Sequence, residues 1–218
     1  MQGNELVCCE CECMKIRRSV QRIKASGIEE AMQRQTLKTF TTEEDYQKKM
    51  LTLAVDFIKQ NGIAFFLGGQ IGCGKTHICT GISGYYLKHG KEVRYIQWRD
   101  DVPRLKALAN TEDYSVELDR LKRIEVLYID DLFKTRDNTP PTAADINIAF
   151  DIINYRYLNS GLITIISCQQ TFTELLNVDE AIASRLAEMC GKFSLSIGKD
   201  VQKNYRLRKA KIEIIGNN

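Results

Sequence analysis

No apolar stretch in this chain is long enough to cross a bilayer, so no membrane partner is expected. The opening "MQGNELVCCECEC" has no apolar h-region, so no export signal is expected either. No internal repeat and no low-complexity tract appear, which argues against a solenoid or a compositionally driven coil. A strong charge imbalance is missing too. Lys and Arg number 31 against 28 Asp and Glu, and a net charge of +3 does not by itself announce a nucleic-acid binder. Proline is scarce, and two of the three fall in the loop "RDNTPPTAAD" (136–145). Cysteine is not scarce, but four of the eight crowd into residues 8 to 13 and the rest are scattered. Without an export signal, that spacing points to a reducing cytoplasm, not to a disulfide framework. What is present is an ordinary globular composition, 44% hydrophobic and 27% charged over 218 residues. It suits one domain with a short extension.

The most informative stretch is "FFLGGQIGCGKTHICTG" (65–81). Gly69, Gly74, Lys75 and Thr76 fit the G-x-x-x-x-G-K-[ST] spacing of a phosphate-binding loop. "IAFFL" (63–67) before it reads as a short buried strand. After it, Ile78, Ile82, Tyr85 and Tyr86 recur at helical spacing up to "KHG" (88–90). The loop therefore joins a strand to a helix N-terminus. Glycines let successive backbone N–H groups converge on phosphate oxygens, and the helix end adds partial positive charge. Lys75 can reach β- and γ-phosphates, and Thr76 offers a hydroxyl to Mg²⁺. The loop residues Gly69, Ile71, Gly72, Cys73 and Gly74 are expected around ATP, with Cys73 contributing its backbone N–H and not a nucleophilic sulfur. A solvated glycine turn is the plainer alternative, and the strand–loop–helix context argues against it.

A magnesium nucleotide also needs a carboxylate at the end of a neighbouring strand. "RIEVLYIDDLF" (123–133) supplies one, with the apolar run Val126 to Ile129 and then Asp130 and Asp131. Asp130 is assigned to the Mg²⁺ shell, mostly through water, and Asp131 to polarising the attacking water. In "GLITIISCQQTFTELL" (161–176), Ser167 and Gln169 fall at the same sheet edge, where Gln169 could meet the γ-phosphate or the water. Thr171-x-x-Glu174 resembles a capping box, and Thr142 is expected to cap the helix after the proline loop.

Helix and strand alternate along the chain. The pattern predicts a basic helix at 14–36 and a second at 43–60 opened by a Thr41-x-x-Glu44 box. Strands are predicted near 63–67, 92–97, 124–130, 162–167 and 193–197, giving an α/β fold with a parallel five-stranded sheet flanked by helices.

Several ordered segments resemble the DnaC/IstB-like AAA+ ATPases, the bacterial and phage replicative helicase loaders. "CECMKIRRSVQRIKASGI" (11–28) resembles the segment leaving their cysteine-rich region, and "TF" (39–40) the start of their ATPase core. "GCGKTHI" (72–78) carries the His that often follows their Walker A Thr. "LYIDDLF" resembles their Walker B, "ISCQQTFTELL" their sensor 1 segment and "IASRL" (182–186) the segment with their arginine finger. "GKDVQKNYRLRK" (198–209) resembles a C-terminal end without a separate helical lid. The resemblance adds Phe40 and His77 to the nucleotide-binding residues, and makes Arg185 a finger reaching a neighbouring subunit's γ-phosphate. It implies a cytoplasmic ATPase that self-associates, engages single-stranded DNA and delivers a replicative hexameric helicase. It divides the chain into an extension (1–38) and an AAA+ core (39–218). Gln169 stands where the family usually has Asn, one methylene longer.

A transposition helper of the same family is the closest rival, and a small P-loop kinase or an inactive scaffold a more distant one. Cys8, Cys9, Cys11 and Cys13 hold one C-x₂-C pair and no second pair nearby, so Zn²⁺ is not expected there. Two basic runs, 15–24 and 199–211, offer charge for DNA, the second with Tyr205 for stacking. Read alone, either run is equally a solvated face. Arg185 read alone is a surface arginine bridging to Glu188.

Overall fold

Five apolar runs become five parallel strands in the computed structural model, which describes residues 28–137 and 139–210 with Met14, Arg17, Val20, Gln21, Ile23 and Lys24. They are β1 (Ala64–Gly69), β2 (Val93–Gln97), β3 (Val126–Leu132), β4 (Ile163–Cys168) and β5 (Ser194–Ile197). The order across the sheet is β2-β3-β4-β1-β5, and every pairing is parallel. Each strand starts within two residues of its predicted place. β1 and β3 each run two residues farther than their apolar patterns. Gly68 and Gly69 stay in the ladder opposite Ser196 and Ile197, because β5 supplies backbone partners where the side-chain pattern has stopped.

Alternation along the strands feeds two cores. Phe66, Leu127, Ile129 and Ile166 face one side, with α4 (Trp98–Ala107), α5 (Glu112–Arg123), α6 (Ala143–Leu158) and α8 (Glu180–Cys190) over them. Phe65, Leu67, Tyr128 and Ile165 face the other, under α2 (Asp45–Lys59) and α3 (Lys75–Lys88). With both faces covered, the strands read as continuous apolar runs, as parallel sheets require. α3 lies between the sheet and other helical segments and is apolar on most sides for that reason. Ile28 and Met32 of the N-terminal region are buried in this second core.

Two predicted elements differ. The single helix at 14–36 does not hold. Ile28 is non-helical, and α1 covers only Glu29–Arg34, followed by a 3₁₀ turn at Leu37–Thr39. Thr36 leaves the helical region and caps that turn, while the Thr39 hydroxyl donates to the Arg34 carbonyl at 2.6 Å and closes α1. The Thr41 box is also displaced. α2 is capped by Glu44 with Gln47, and the Thr41 hydroxyl lies 3.4 Å from that of Tyr205 instead. The Thr142–Asp145 and Thr171–Glu174 caps form as expected, opening α6 and α7 (Phe172–Val178).

Candidate nucleotide site

The loop between β1 and α3 has its glycines where backbone geometry demands them. Gly72 and Gly74 hold φ of 78° and 102°. A Cβ on Gly72 would stand 2.1 Å from Asn204 Oδ1, and one on Gly74 would stand 2.7 Å from the Phe40 ring. Lys75 is only 6% exposed and its Nζ donates to the Gly69 and Gln70 carbonyls, each at 2.7 Å. The cation is thus held by the loop it serves. The Cys73 thiol donates to the Gln70 carbonyl at 3.0 Å, and burial pushes its pKa up, which suits a packed thiol and not a nucleophile. Ile71 is exposed at the rim.

The second half of the site depends on a bulge. The register of β3 against β4 shifts between Ile129 and Leu132, and Asp131 adopts a φ of 55°. Ser167 on β4 bridges the irregularity: the Asp131 N–H donates to its Oγ at 2.9 Å, and that hydroxyl donates to Asp130 at 2.5 Å. Asp130 also accepts from Tyr128 at 2.8 Å, and from Tyr95 and Thr76 at 3.2 Å each. Burial first, and the Asp130 charge second, push both phenols far above the usual tyrosine range, so they remain donors. Asp131 accepts from Lys134 at 2.9 Å and from the Gln169 amide at 3.3 Å.

Thr76 and Asp130 make a hard-oxygen donor pair suited to Mg²⁺, which commonly takes one or two carboxylates and completes its shell with water and phosphate. No group of three or more His, Cys, Asp and Glu side chains that could hold a metal occurs among the described residues. The pair therefore fits a metal that arrives with a phosphate ligand, not an all-protein cage.

The open cleft is lined by Gly72, Gly74, Lys75, Thr76 and His77 on the loop side and by Asp131, Lys134 and Gln169 at the strand tips. Phe40 braces the loop: its ring lies against Gly74 and meets the His77 ring edge-on at 5.1 Å. His77 Nε2 lies 3.0 Å from the Thr36 carbonyl, so it is written as the donor. Four further lining residues were not picked out from the sequence: Gln35, Lys134, Tyr205 and Arg206. Lys134 carried a faint signal, three residues after Asp131. Tyr205 and Arg206 lay inside a basic run read for DNA, and they reach the cleft because the Tyr205 N–H donates to the Gly72 carbonyl at 3.0 Å. They open the short helix α9 (Tyr205–Lys209). Gln35 carried no signal.

Arg185 is not among the residues lining this cleft. Its Nε donates to Asn154 at 2.9 Å and its guanidinium lies 4.8 Å from the Phe150 ring centroid. The expected bridge to Glu188 gives way to this contact, and Glu188 accepts from Tyr157 instead. The run 199–211 is largely paired at home: Lys199 with Glu174, Lys203 with Asp200, and Arg208 with Glu43 and Glu44. Cys8, Cys9, Cys11 and Cys13, most of the basic run 15–24, and Lys211 lie outside the described residues.

The comparisons agree with this geometry. The family described as IstB-like ATP binding protein matches residues 4–210. A Bacillus subtilis (strain 168) protein, YqaM, is 35% identical over 214 residues, which cover 91% of this chain and 66% of the relative. The phage-like element PBSX protein XkdC of the same strain is 32% identical, over 90% of this chain and 77% of its own length. Among solved structures, the DnaC helicase loader is similar with a TM-score of 0.65 at 22% identity, over 77% of this chain and 98% of that one. AMPPCP-bound DnaA from Aquifex aeolicus gives 0.63 at 18% identity, over 84% of this chain and 57% of that one. A match over nearly the whole chain, on a parallel five-stranded sheet with its loop and acidic strand in place, assigns this protein to the IstB-like ATP-binding family with the AAA+ P-loop fold of DnaA and DnaC.

Proposed function

We propose that this protein is an ATP-hydrolysing helicase loader that assembles on ATP, engages single-stranded DNA and delivers a replicative hexameric helicase in the cytoplasm. The observation that carries the ATPase reading is the 3.2 Å contact between Thr76 and Asp130, which joins the phosphate loop to the acidic strand beside Lys75. Bound Mg²⁺ would be held by Thr76 and Asp130 and would neutralise charge between the β- and γ-phosphates. Lys75 would exchange its two carbonyl partners for phosphate oxygens. Asp131 would take the proton of the attacking water after releasing Lys134, and the freed Lys134 ammonium would then face the γ-phosphate. The Gln169 amide would hold that water in line. Arg206 opens α9 beside the cleft, and its side chain has no hydrogen bond or ion pair among the described residues; it offers a cation from the same chain.

The loader role draws on the solved DnaC helicase loader of the same fold and on XkdC, a protein of a phage-like element. The family description favours a second reading, a transposition helper that binds duplex DNA and a transposase. A small kinase would need an arginine-rich lid, and Arg136, the arginine of the proline loop, pairs with Asp100 at 3.8 Å.

Oligonucleotide retention separates the two readings. With ATP, a loader retains single strands over duplex, and retention falls steeply with salt because Lys and Arg contacts release counterions. Lys75→Ala abolishes the ATP dependence, and Asp131→Asn keeps nucleotide and DNA bound while turnover drops. Preference for duplex would favour the transposition helper, and no retention at low salt with ATP would count against both. Wild-type turnover in Asp131→Asn would remove Asp131 as the base.

A further inference from the structure

Resting on the reading of the cleft as a nucleotide site, we infer that the Gln35 side-chain amide reads the base and makes the site select adenine over guanine. Gln35 lines the cleft, and its Oε1 is buried with no hydrogen-bond partner. A buried amide oxygen left unpaired is unfavourable, so native structures rarely keep one without a reason. A ligand donor arriving in the cleft would satisfy it.

The residue is held in place from both sides. Its own N–H donates to the Ala31 carbonyl at 2.6 Å, closing α1. The next residue, Thr36, accepts from His77 on the first turn of α3 at 3.0 Å. A side chain fixed between α1 and α3 loses little freedom on binding, which is what a reader of base edges needs.

The position along the cleft also fits. Thr76 turns toward Asp130 and marks the metal and γ-phosphate end. His77, one residue on, turns to the opposite wall, where Thr36 and Gln35 lie. A nucleotide with its phosphates on the loop amides and its γ-phosphate at the strand tips extends its nucleoside toward that wall. There the Gln35 Oε1 accepts from the adenine N6 amino group while its NH₂ donates to the neighbouring ring nitrogen, the bidentate pairing a carboxamide makes with adenine. Guanine presents the O6 acceptor in place of that amino group, so Oε1 would face another acceptor and stay unpaired.

The test is nucleotide affinity of the full-length protein for ATP and GTP, with Gln35→Met as a variant of similar shape and Gln35→Ala as the truncation. The wild type is expected to bind ATP at least about tenfold tighter than GTP. Gln35→Met is expected to weaken ATP by about 5- to 150-fold, the range of one bidentate base contact, and to leave GTP within about twofold. Gln35→Ala is expected to follow it. A wild type that binds ATP and GTP alike, or prefers GTP, overturns the base-reading role while leaving the nucleotide site intact. Variants that lose ATP and GTP equally, or keep the wild-type ratio, overturn it as well. A wild type that binds neither nucleotide overturns the nucleotide-site reading, and the base reader falls with it.

Discussion

Asp130 accepts hydrogen bonds from four hydroxyl groups, those of Thr76, Tyr95, Tyr128 and Ser167. Its partners come from three strands and one helix, so a metal-binding carboxylate is also a tie across the sheet. The sequence made Lys75, Thr76 and Asp130 legible because their spacing and strand-end position are local properties. Tyr95 and Gln35 were not legible, since their roles arise only when distant segments meet. His77 supports a prediction at this scale. Burial lowers its pKa from the ordinary 6.5, and the hydrogen bond to the Thr36 carbonyl pulls weakly the other way. The fold therefore prefers neutral His77. The unfolded chain takes up its proton first, so stability is fully present above about pH 6.5 and is lost as the pH falls through the lowered folded value. The thermal midpoint of the wild type should drop more between about pH 7 and pH 5 than that of His77→Gln. Parallel pH profiles for the two proteins would mean that His77 does not titrate differently on folding.

At the scale of elements, alternation of apolar runs and capped helices was readable, and all five strands lie where the pattern put them. The misses are local competitions. Thr41 and Glu44 offered a plausible box, but Glu44 with Gln47 took the cap because the chain is already extended at Glu44. Arg156 shows a deeper limit. It lies near the end of α6 and is 0% exposed without a carboxylate partner. Its guanidinium donates to the Thr164 hydroxyl at 2.8 Å and to the carbonyls of Leu121 at 3.2 Å, Lys122 at 3.0 Å, Ile124 at 2.9 Å and Ile163 at 2.6 Å. These are the end of α5 and the chain entering β3 and β4, where carbonyls lack intrahelical or ladder partners. Burial lowers its pKa to about 9, so it stays charged at neutral pH, stabilised by those dipoles. Arg156→Met should destabilise by about 3–5 kcal/mol, because several buried carbonyls lose their donor at once. Arg156→Lys should recover only part, since an ammonium has three donors and no planar fork. The readout is the urea midpoint at unchanged m-value, and a shift worth less than about 1 kcal/mol for Arg156→Met would show that water replaces the guanidinium there.

At the scale of the whole molecule, the strand order β2-β3-β4-β1-β5 brings three strand tips and the C-terminal helix to one cleft, which no periodicity in the sequence could reveal. The same arrangement leaves Arg185 on α8, bonded to Asn154 and stacked near Phe150, outside the residues that line its own cleft. If Arg185 serves catalysis, it must serve a neighbouring subunit's site, after trading Asn154 for a phosphate. An arginine supplied in trans can be worth roughly a thousandfold or more in rate in other P-loop enzymes. Arg185→Ala alone should bind ATP and barely hydrolyse it, whereas Lys75→Ala alone should fail to bind it. In a mixture of the two, an Arg185→Ala subunit keeps an intact phosphate loop, and a Lys75→Ala neighbour keeps its arginine. Some interfaces are then complete, and part of the ATPase activity should return. A merely structural Arg185 would give no such recovery, because each subunit would carry its own defect wherever it sat. Co-assembled mixtures that stay as inactive as either variant would therefore return Arg185 to the helix surface, as a partner of Asn154 and nothing more.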